Sequence, residues 1–451
     1  MKKILALILC VIAIINLTAC LKKGYEVGSD ETLQPSTSPE SMNIDEYDDI
    51  NTKSAVAAPV YPEGFEFEDY DSRLTIRDEN LVEEGYINAI NSFAGKIAPI
   101  VLKGKTENAM ISPISLQMAL ALAGSGANGT TQEEILTVLG VEKQGTDYLA
   151  EQNANLFRLL YLDNKVGQLK IANSLWLQKD IIFHDEYLKN AADNFYASLY
   201  QVDFAEEDTA KLMSKWIWEN TNKVLKPKLQ LSPIQIMSII NTIYFKDEWT
   251  ERFEEIDTAP SSFHLANGEE TECDYMNQTF AVHGYLKGDG FTSSTLGLKN
   301  NGSMVFILPD KGVSTDDLLA TPEIFFASMK QENEKAGKVI FQIPKFSFGS
   351  DFALSDSLNT LGIKDAFNSK ADFSGITDGI AYISDIAQQT HIAIDEKGVE
   401  AAAFTQIMYC GAAMSNENIA EMILDRPFIF AITSNQGVIL FMGVVNNPLN
   451  N

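Results

Sequence analysis

Four cysteines and four histidines in 451 residues leave little material for a metal or redox centre. The histidines (His184, His264, His283 and His391) are scattered, with no HExxH and no Cys/His cluster at metal-ligand spacing. A GxGxxG turn and a phosphate loop are both missing. The "GSG" at 124–126 lacks the GxSxG spacing of a serine-hydrolase elbow and follows a helical pattern, where the elbow needs a strand. The acidic "NGEETE" at 267–272 reads as a solvated turn. The chain is therefore read as a non-enzyme that uses no metal and no cofactor. Positive charge is also scarce. Lys and Arg number 34 against 62 Asp and Glu, and the net −28 argues against nucleic acid and against electrostatic docking on anionic lipid.

Long apolar runs are rare, and the clearest one opens the chain. Lys2 and Lys3 precede an almost wholly apolar stretch from Ile4 to Leu17, and "LTAC" (17–20) then sets small residues before a cysteine. Residues 1–20 resemble a bacterial lipoprotein signal in which Cys20 becomes the lipidated first residue. The run is short for a membrane span of ~20 residues. An ordinary signal peptide or an uncleaved anchor helix is the alternative. The expected location is the cell envelope, lipid-anchored on the outer side of a bacterial membrane, or the extracellular space. Cys10 would leave with the signal, and Cys273 and Cys410 are expected to be free thiols. Residues 21–80 carry 15 acidic against 5 basic residues, with Pro35, Pro39, Pro59 and Pro62 and no apolar periodicity. They are expected to form a flexible tether spanning roughly 40 Å root-mean-square.

From about Leu81 the pattern becomes globular. Ile87, Ile90, Phe93 and Ile97 recur at helical spacing. "ISPISLQMALALAGSGANGTTQEEILTVLG" reads as a helix, a Gly/Asn break, and a second helix capped by Thr131 with Glu134 three residues on. "IANSLWLQ", "SIINTIYFKDEW", "GSMVFILPD", "KVIFQIPKFSF", "YISDIAQQTHIAID", "PFIFAITS" and "GVILFMGVV" read as strands. Helices lie mostly early and strands mostly late, so the class is α+β. No internal repeat is visible.

Six blocks then point to one family. "NAMISPISLQMALALAGSGANGTTQEEIL" (108–136), "INTIYFKDEWTERF" (240–253), "IPKFSF" (343–348), "LGIKDAF" and "ADFSGI" (both within 361–376), and "DRPFIFAI…ILFMGVVNNP" (425–448) stand in order. Each alone is weak, but together they resemble the serpins over the whole globular part. The resemblance implies a single domain over 81–451, with helices packed on a large mixed β-sheet, two further sheets, and an exposed reactive loop at about 396–426. It also implies a serine protease inhibitor that acts as a suicide substrate. The target would be trapped as an acyl-enzyme while the cleaved loop enters the central sheet as a new strand.

"DEKGVEAAAFT" is similar to the serpin hinge, whose usual form is Glu-x-Gly-Thr-Glu-Ala-Ala-Ala-Ala-Thr, so Glu396 and Gly398 align with its first Glu and Gly. Strand insertion sends alternate side chains into the core. With Val399 inward, the inward set is Val399, Ala401, Ala403 and Thr405, all small or β-branched. The outward set is Glu400, Ala402, Phe404 and Gln406. Val399 departs from the usual Thr or Ser, and Phe404 from a usual small residue. Ser112, Ser115 and Asn241 match the family's polar cluster under the opening sheet. Gln388 replaces the histidine found there in many members, and His391 has the opposite parity. Counting 14 residues from Gly398 places the reactive bond at Ala412–Ala413, with Met408, Tyr409 and Met414 as rivals. The implied partner is a serine protease of elastase-, subtilisin- or chymotrypsin-like type, with a cysteine protease as the alternative, and the inhibitor is expected to be a monomer. A non-inhibitory serpin serving binding, chaperone or storage roles is the competing reading.

Overall fold

Helix-forming stretches dominate the first half of the chain. In the computed structural model, which describes residues 55–300, 302–321, 334–399 and 419–450, they fold as α1 (Tyr70–Glu79), α2 (Glu84–Leu102), α3 (Pro113–Ser125), α4 (Gly129–Leu139), α5 (Gly145–Leu160), α6 (Asp185–Phe195) and α7 (Glu207–Asn220). The short α8 (Thr315–Leu319) and α9 (Ser355–Leu361) follow later. Helix α3 is buried at every residue from Pro113 to Gly124, as expected of a helix apolar on all sides. Ser112 caps it by accepting the Ser115 N–H at 3.4 Å, and Pro113 starts it where no N–H is needed.

The strands are β1 (Ala109–Ile111), β2 (Leu162–Asp163), β3 (Gln168–Gln178), β4 (Ala197–Val202), β5 (Met237–Glu248), β6 (Ala259–His264), β7 (Glu270–Lys287) and β8 (Phe291–Leu298). They continue as β9 (Gly302–Pro309), β10 (Lys335–Pro344), β11 (Phe346–Ala353), β12 (Ile383–Asp395), β13 (Gly398–Val399), β14 (Ile419–Ile423), β15 (Phe428–Thr433) and β16 (Ile439–Val445). Among the described residues the central sheet runs β11-β12-β13-β5-β3-β2, with β4 on β3. The remaining strands run β1-β16-β15-β9-β8-β7-β10-β14, with β6 on β7. They form one nine-stranded sheet through the 18-residue β7, which pairs with β6 over Glu270–Tyr275, with β10 over Tyr275–Tyr285 and with β8 over Tyr285–Lys287. Helix α3 packs against β5 and β16, one strand from each layer, so the core lies between the layers.

Three expectations are corrected. Asn128, not Thr131, precedes α4, and the Thr131 hydroxyl instead accepts the Asp372 N–H at 3.0 Å. The Glu134 carboxylate takes the N–H groups of Lys364 and Asp365 at 2.7 and 2.9 Å, so both side chains join α4 to a distant turn. The "NGEETE" stretch is a hairpin, with Glu270, Thr271 and Glu272 already in β7. The third concerns the tether, whose described part, residues 55–80, is packed onto the domain. Val56 donates to Leu199 O and Leu199 to Ala57 O, both at 2.8 Å, on strand β4. Tyr61 stacks on Phe157, Tyr161 and Tyr196 at 6.0–6.3 Å. Asp69 caps α1, its carboxylate accepting the Ser72 N–H at 3.0 Å. Acidic composition hid this segment, because its aromatic anchors are few and spaced without a period.

Removing the Tyr61 ring should open that aromatic stack. Tyr61→Ala is expected to cost about 2 kcal/mol, read as a lower urea midpoint. Faster tryptic cleavage at Arg73 or Arg77 should accompany it; unchanged midpoint and cleavage would show that the stack does not hold the segment.

Candidate functional site

Strands β5 and β12 run parallel and pair from Met237 with Ile383 up to Thr242 with Gln389. Above that point they part. Strand β12 turns at Asp395 and returns as β13, where Gly398 stands between Glu248 and Asp395 and Val399 between Asp247 and Ile394. Both pairings of β13 are antiparallel. The hinge therefore forms a two-residue strand at the mouth of the seam. Between the two paired regions, Ile243–Lys246 and Thr390–Ala393 are not paired with each other.

Local chemistry explains the wedge. A Cβ at position 398 would lie 2.2 Å from Asp247 O, so only glycine lets the chain approach β5 this closely. Val399 is 1% exposed, a β-branched apolar side chain turned into the core. The turn before it is tied from several sides. Asp395 Oδ1 accepts the N–H groups of Lys397 and Gly398 at 2.8 and 3.2 Å. The Trp249 indole N–H donates to Asp395 O at 2.9 Å. Trp249 and Phe253 N–H groups donate to Lys397 O and Glu396 O, each at 3.0 Å.

The Glu396 carboxylate accepts from Thr258 Oγ1 at 2.8 Å and from Lys345 Nζ at 3.0 and 3.1 Å. Burial pushes this carboxyl up, but the hydrogen bonds from backbone and Thr258, together with Lys345, outweigh it and hold it below its usual value. On the β5 side, buried Glu248 is paired with Lys299 at 2.7 Å and Arg252 at 2.8 Å. The buried Asp247 carboxylate accepts the Asn300 backbone and side-chain N–H groups at 2.7 and 2.9 Å. Buried carboxylates need such partners. Sequence reasoning missed this acidic pair because "KDEW" reads as an exposed strand end.

Beneath the paired part of the seam, Ser112, Ser115, Asn241 and Gln388 converge, all at most 1% exposed. Gln388 bridges the layers. Its Oε1 accepts the Ser112 N–H at 2.8 Å, and its Nε2 donates to Ser112 O at 2.9 Å and to Asn241 Oδ1 at 3.3 Å. The Ser115 hydroxyl donates to the same Asn241 oxygen. Asn241 Nδ2 donates to Asn173 Oδ1 at 2.8 Å, which adds an unforeseen member from β3. His391 lies on the opposite face, its Nε2 3.4 Å from Ser347 Oγ. Cys273 is free and buried, and burial pushes its thiol up to about 11. Among the described residues no group of His, Cys, Asp and Glu is arranged to hold a metal ion.

Cys20, Glu400, Ala401, Ala402, Ala403, Phe404, Thr405, Gln406, Met408, Tyr409, Cys410, Ala412, Ala413 and Met414 lie outside the described residues. The structure thus brings together Glu396, Gly398, Val399 and the polar cluster.

This geometry meets a family match. A family model described as Serpin (serine protease inhibitor) matches residues 88–448. The chain belongs to the serpin family. A serpin-like protein of Thermococcus kodakarensis is 33% identical over 380 residues, spanning 81% of this chain and 86% of that protein. Serpin B3 of Homo sapiens is 28% identical over 372 residues, 77% of this chain and 95% of its own. The thermophilic serpin tengpin, solved in its native state, superposes with a TM-score of 0.75 at 27% identity over 88% of this chain and 98% of its own. Serpin48 of Tenebrio molitor, described as a highly specific serpin, gives 0.72 at 30% identity over 81% and 98%.

Two outcomes test the site. Gln388→Leu leaves the buried Ser112 N–H without an acceptor and removes one of the two donors to Asn241 Oδ1, and should cost about 1–3 kcal/mol, read as a lower urea midpoint. Glu396 gives a pH test. Its carboxyl titrates lower in the folded hinge than when released, so the hinge is fully stabilised above the ordinary carboxylate range. That stabilisation is lost as pH falls through the lowered native value. Trp249 emission, followed from pH ~7 to ~3, should show a transition that Glu396→Gln removes; an identical curve in the variant would exclude Glu396 as its source.

Proposed function

We propose that this serpin inhibits serine proteases as a suicide substrate. The observation that carries the reading is β13, two hinge residues standing in antiparallel register between two parallel strands that separate around them. Continuing that register sets each later loop residue opposite one position on each side. Position 404 falls between Thr242 and Gln389, and position 405 between Asn241 and Gln388. Thr405 would then enter the polar cluster, while Phe404 would face the opposite side of the sheet. From Lys246 down to Met237 the seam offers ten further positions. One parallel ladder would be exchanged for two antiparallel ones, which pair slightly better per residue. At ~1 kcal/mol net per added hydrogen bond this yields on the order of 10 kcal/mol, comparable with the stability of a whole domain.

The chemistry belongs to the target. Its serine Oγ attacks the Ala412 carbonyl carbon, the Ala412–Ala413 peptide bond breaks, and the Ala413 amine departs protonated. An ester joins the protease to Ala412, and insertion outruns its hydrolysis. A small primary pocket, elastase- or subtilisin-like, suits alanine. The lipid on Cys20 would hold the inhibitor, as a monomer, at the outer face of the envelope.

Incubating the chain lacking residues 1–20 with elastase-, subtilisin- and chymotrypsin-like proteases tests this directly. The expected result is a band at the summed mass that survives boiling, with a released peptide beginning at Ala413. Val399→Arg would drive a charge into the core on insertion, and should turn the protein into a cleaved substrate without a stable complex. Clean cleavage of the unaltered chain by every protease would favour a non-inhibitory role instead.

A further inference from the structure

The chain has five arginines: Arg73, Arg77, Arg158, Arg252 and Arg426. Three of them, Arg73, Arg77 and Arg158, line one cavity of about 580 Å³ between α1, the end of α5 and the start of β2. No carboxylate among the described residues lines it, in a chain whose acidic residues outnumber basic ones by 62 to 34. The walls are largely apolar and aromatic, including Phe65, Leu74 and Tyr161, with Asn300 also in the lining.

The cations are only partly engaged. Arg73 donates from one terminal nitrogen to Phe67 O and Asn300 Oδ1, both at 2.8 Å, and its Nε is sealed from solvent without a hydrogen-bond partner among the described residues. Arg158 reaches Asn80 Oδ1 and Asn155 Oδ1 at 3.4 and 3.3 Å and rests over the Tyr196 ring, with no ion pair to a described carboxylate. Arg77 pairs at the exposed rim with Asp78 at 3.0 Å. A guanidinium is a planar fork that fits a carboxylate or phosphate. Apolar walls with a few convergent polar groups, at this volume, are those of a small-molecule site.

We propose that this cavity binds a small amphipathic anion, with a carboxylate or phosphate head on the arginines and an aromatic or aliphatic body against Phe65, Leu74 and Tyr161. Its occupant would bridge the N-terminal segment and the body of the domain. The site is separate from the seam, so it stands whether or not the protein inhibits proteases.

Calorimetric titration of the purified full chain tests it, using 1-naphthyl phosphate and 1-naphthoate as probes, with inorganic phosphate as the head alone and 1-naphthol as the body alone. At least one amphipathic probe should bind once per chain, about tenfold or more tighter than either fragment; the tighter of the two identifies the head group. Arg158→Gln should weaken it about tenfold, and Arg158→Lys should restore it only in part, since the fork is lost while the charge remains. Arg73 also holds local structure, so Arg158 is the deciding position, with the urea midpoint confirming an intact fold. No binding by either probe, equal binding of inorganic phosphate, or undiminished binding by a folded Arg158→Gln would each overturn the proposal.

Discussion

The hydrogen bonds of Gln388 close the seam between β5 and β12 from beneath. They tie β12 to the start of a buried helix and to Asn241 on the neighbouring β5, and Ser115 of that helix donates to the same Asn241 oxygen. Each group involved is inaccessible to water, so none can be released without a replacement. The seam is therefore held by polar groups that demand partners. An entering strand that supplied a hydroxyl at that depth would satisfy the same demand. Apolar closure would resist opening by area alone and would offer an incoming polar residue nothing.

The mouth of the seam is built on the opposite principle. Glu396 with Lys345, Glu248 with Lys299 and Arg252, and Asp247 with Asn300 surround the two hinge residues with paired charge. These carboxylates are buried, so removing a partner would leave a charge uncompensated; the contacts are also directional. They fix where the turn leaves β12 and how close it comes to β5, and the missing Cβ of Gly398 makes that closeness attainable. Strength lies low in the seam and orientation lies high.

Much of this was legible in the primary structure. The apolar strands from "IANSLWLQ" to "GVILFMGVV" fall where alternation and β-branching place them, because their faces are buried on one or both sides. The four polar cluster residues could be named from the family resemblance, though only the fold shows how Gln388 links them. Strand β7 was not legible, since its exposed and buried residues alternate with acidic and amide side chains typical of turns. Nor was the ordered segment before Leu81. Its aromatic residues find partners on α5 and beside β4, elements distant in the chain, and no local pattern announces such a contact. Thr131 and Glu134 misled for the same reason: a local motif was available, and distant backbone N–H groups took both side chains.

The two-residue strand has a further meaning. A β-strand that slips by one residue exchanges its two faces. Because Gly398 and Val399 already occupy a register, any chain that follows them inherits its phase before it enters. If the loop inserts as proposed, its first residues decide which side chains go inward, and the residues near the proposed bait take no part in that decision. Under the proposed inhibition, recognition and capture become separable specifications, one written around position 412 and the other around position 398. A protein so arranged can be retargeted at one end of its loop without relearning how to close the other.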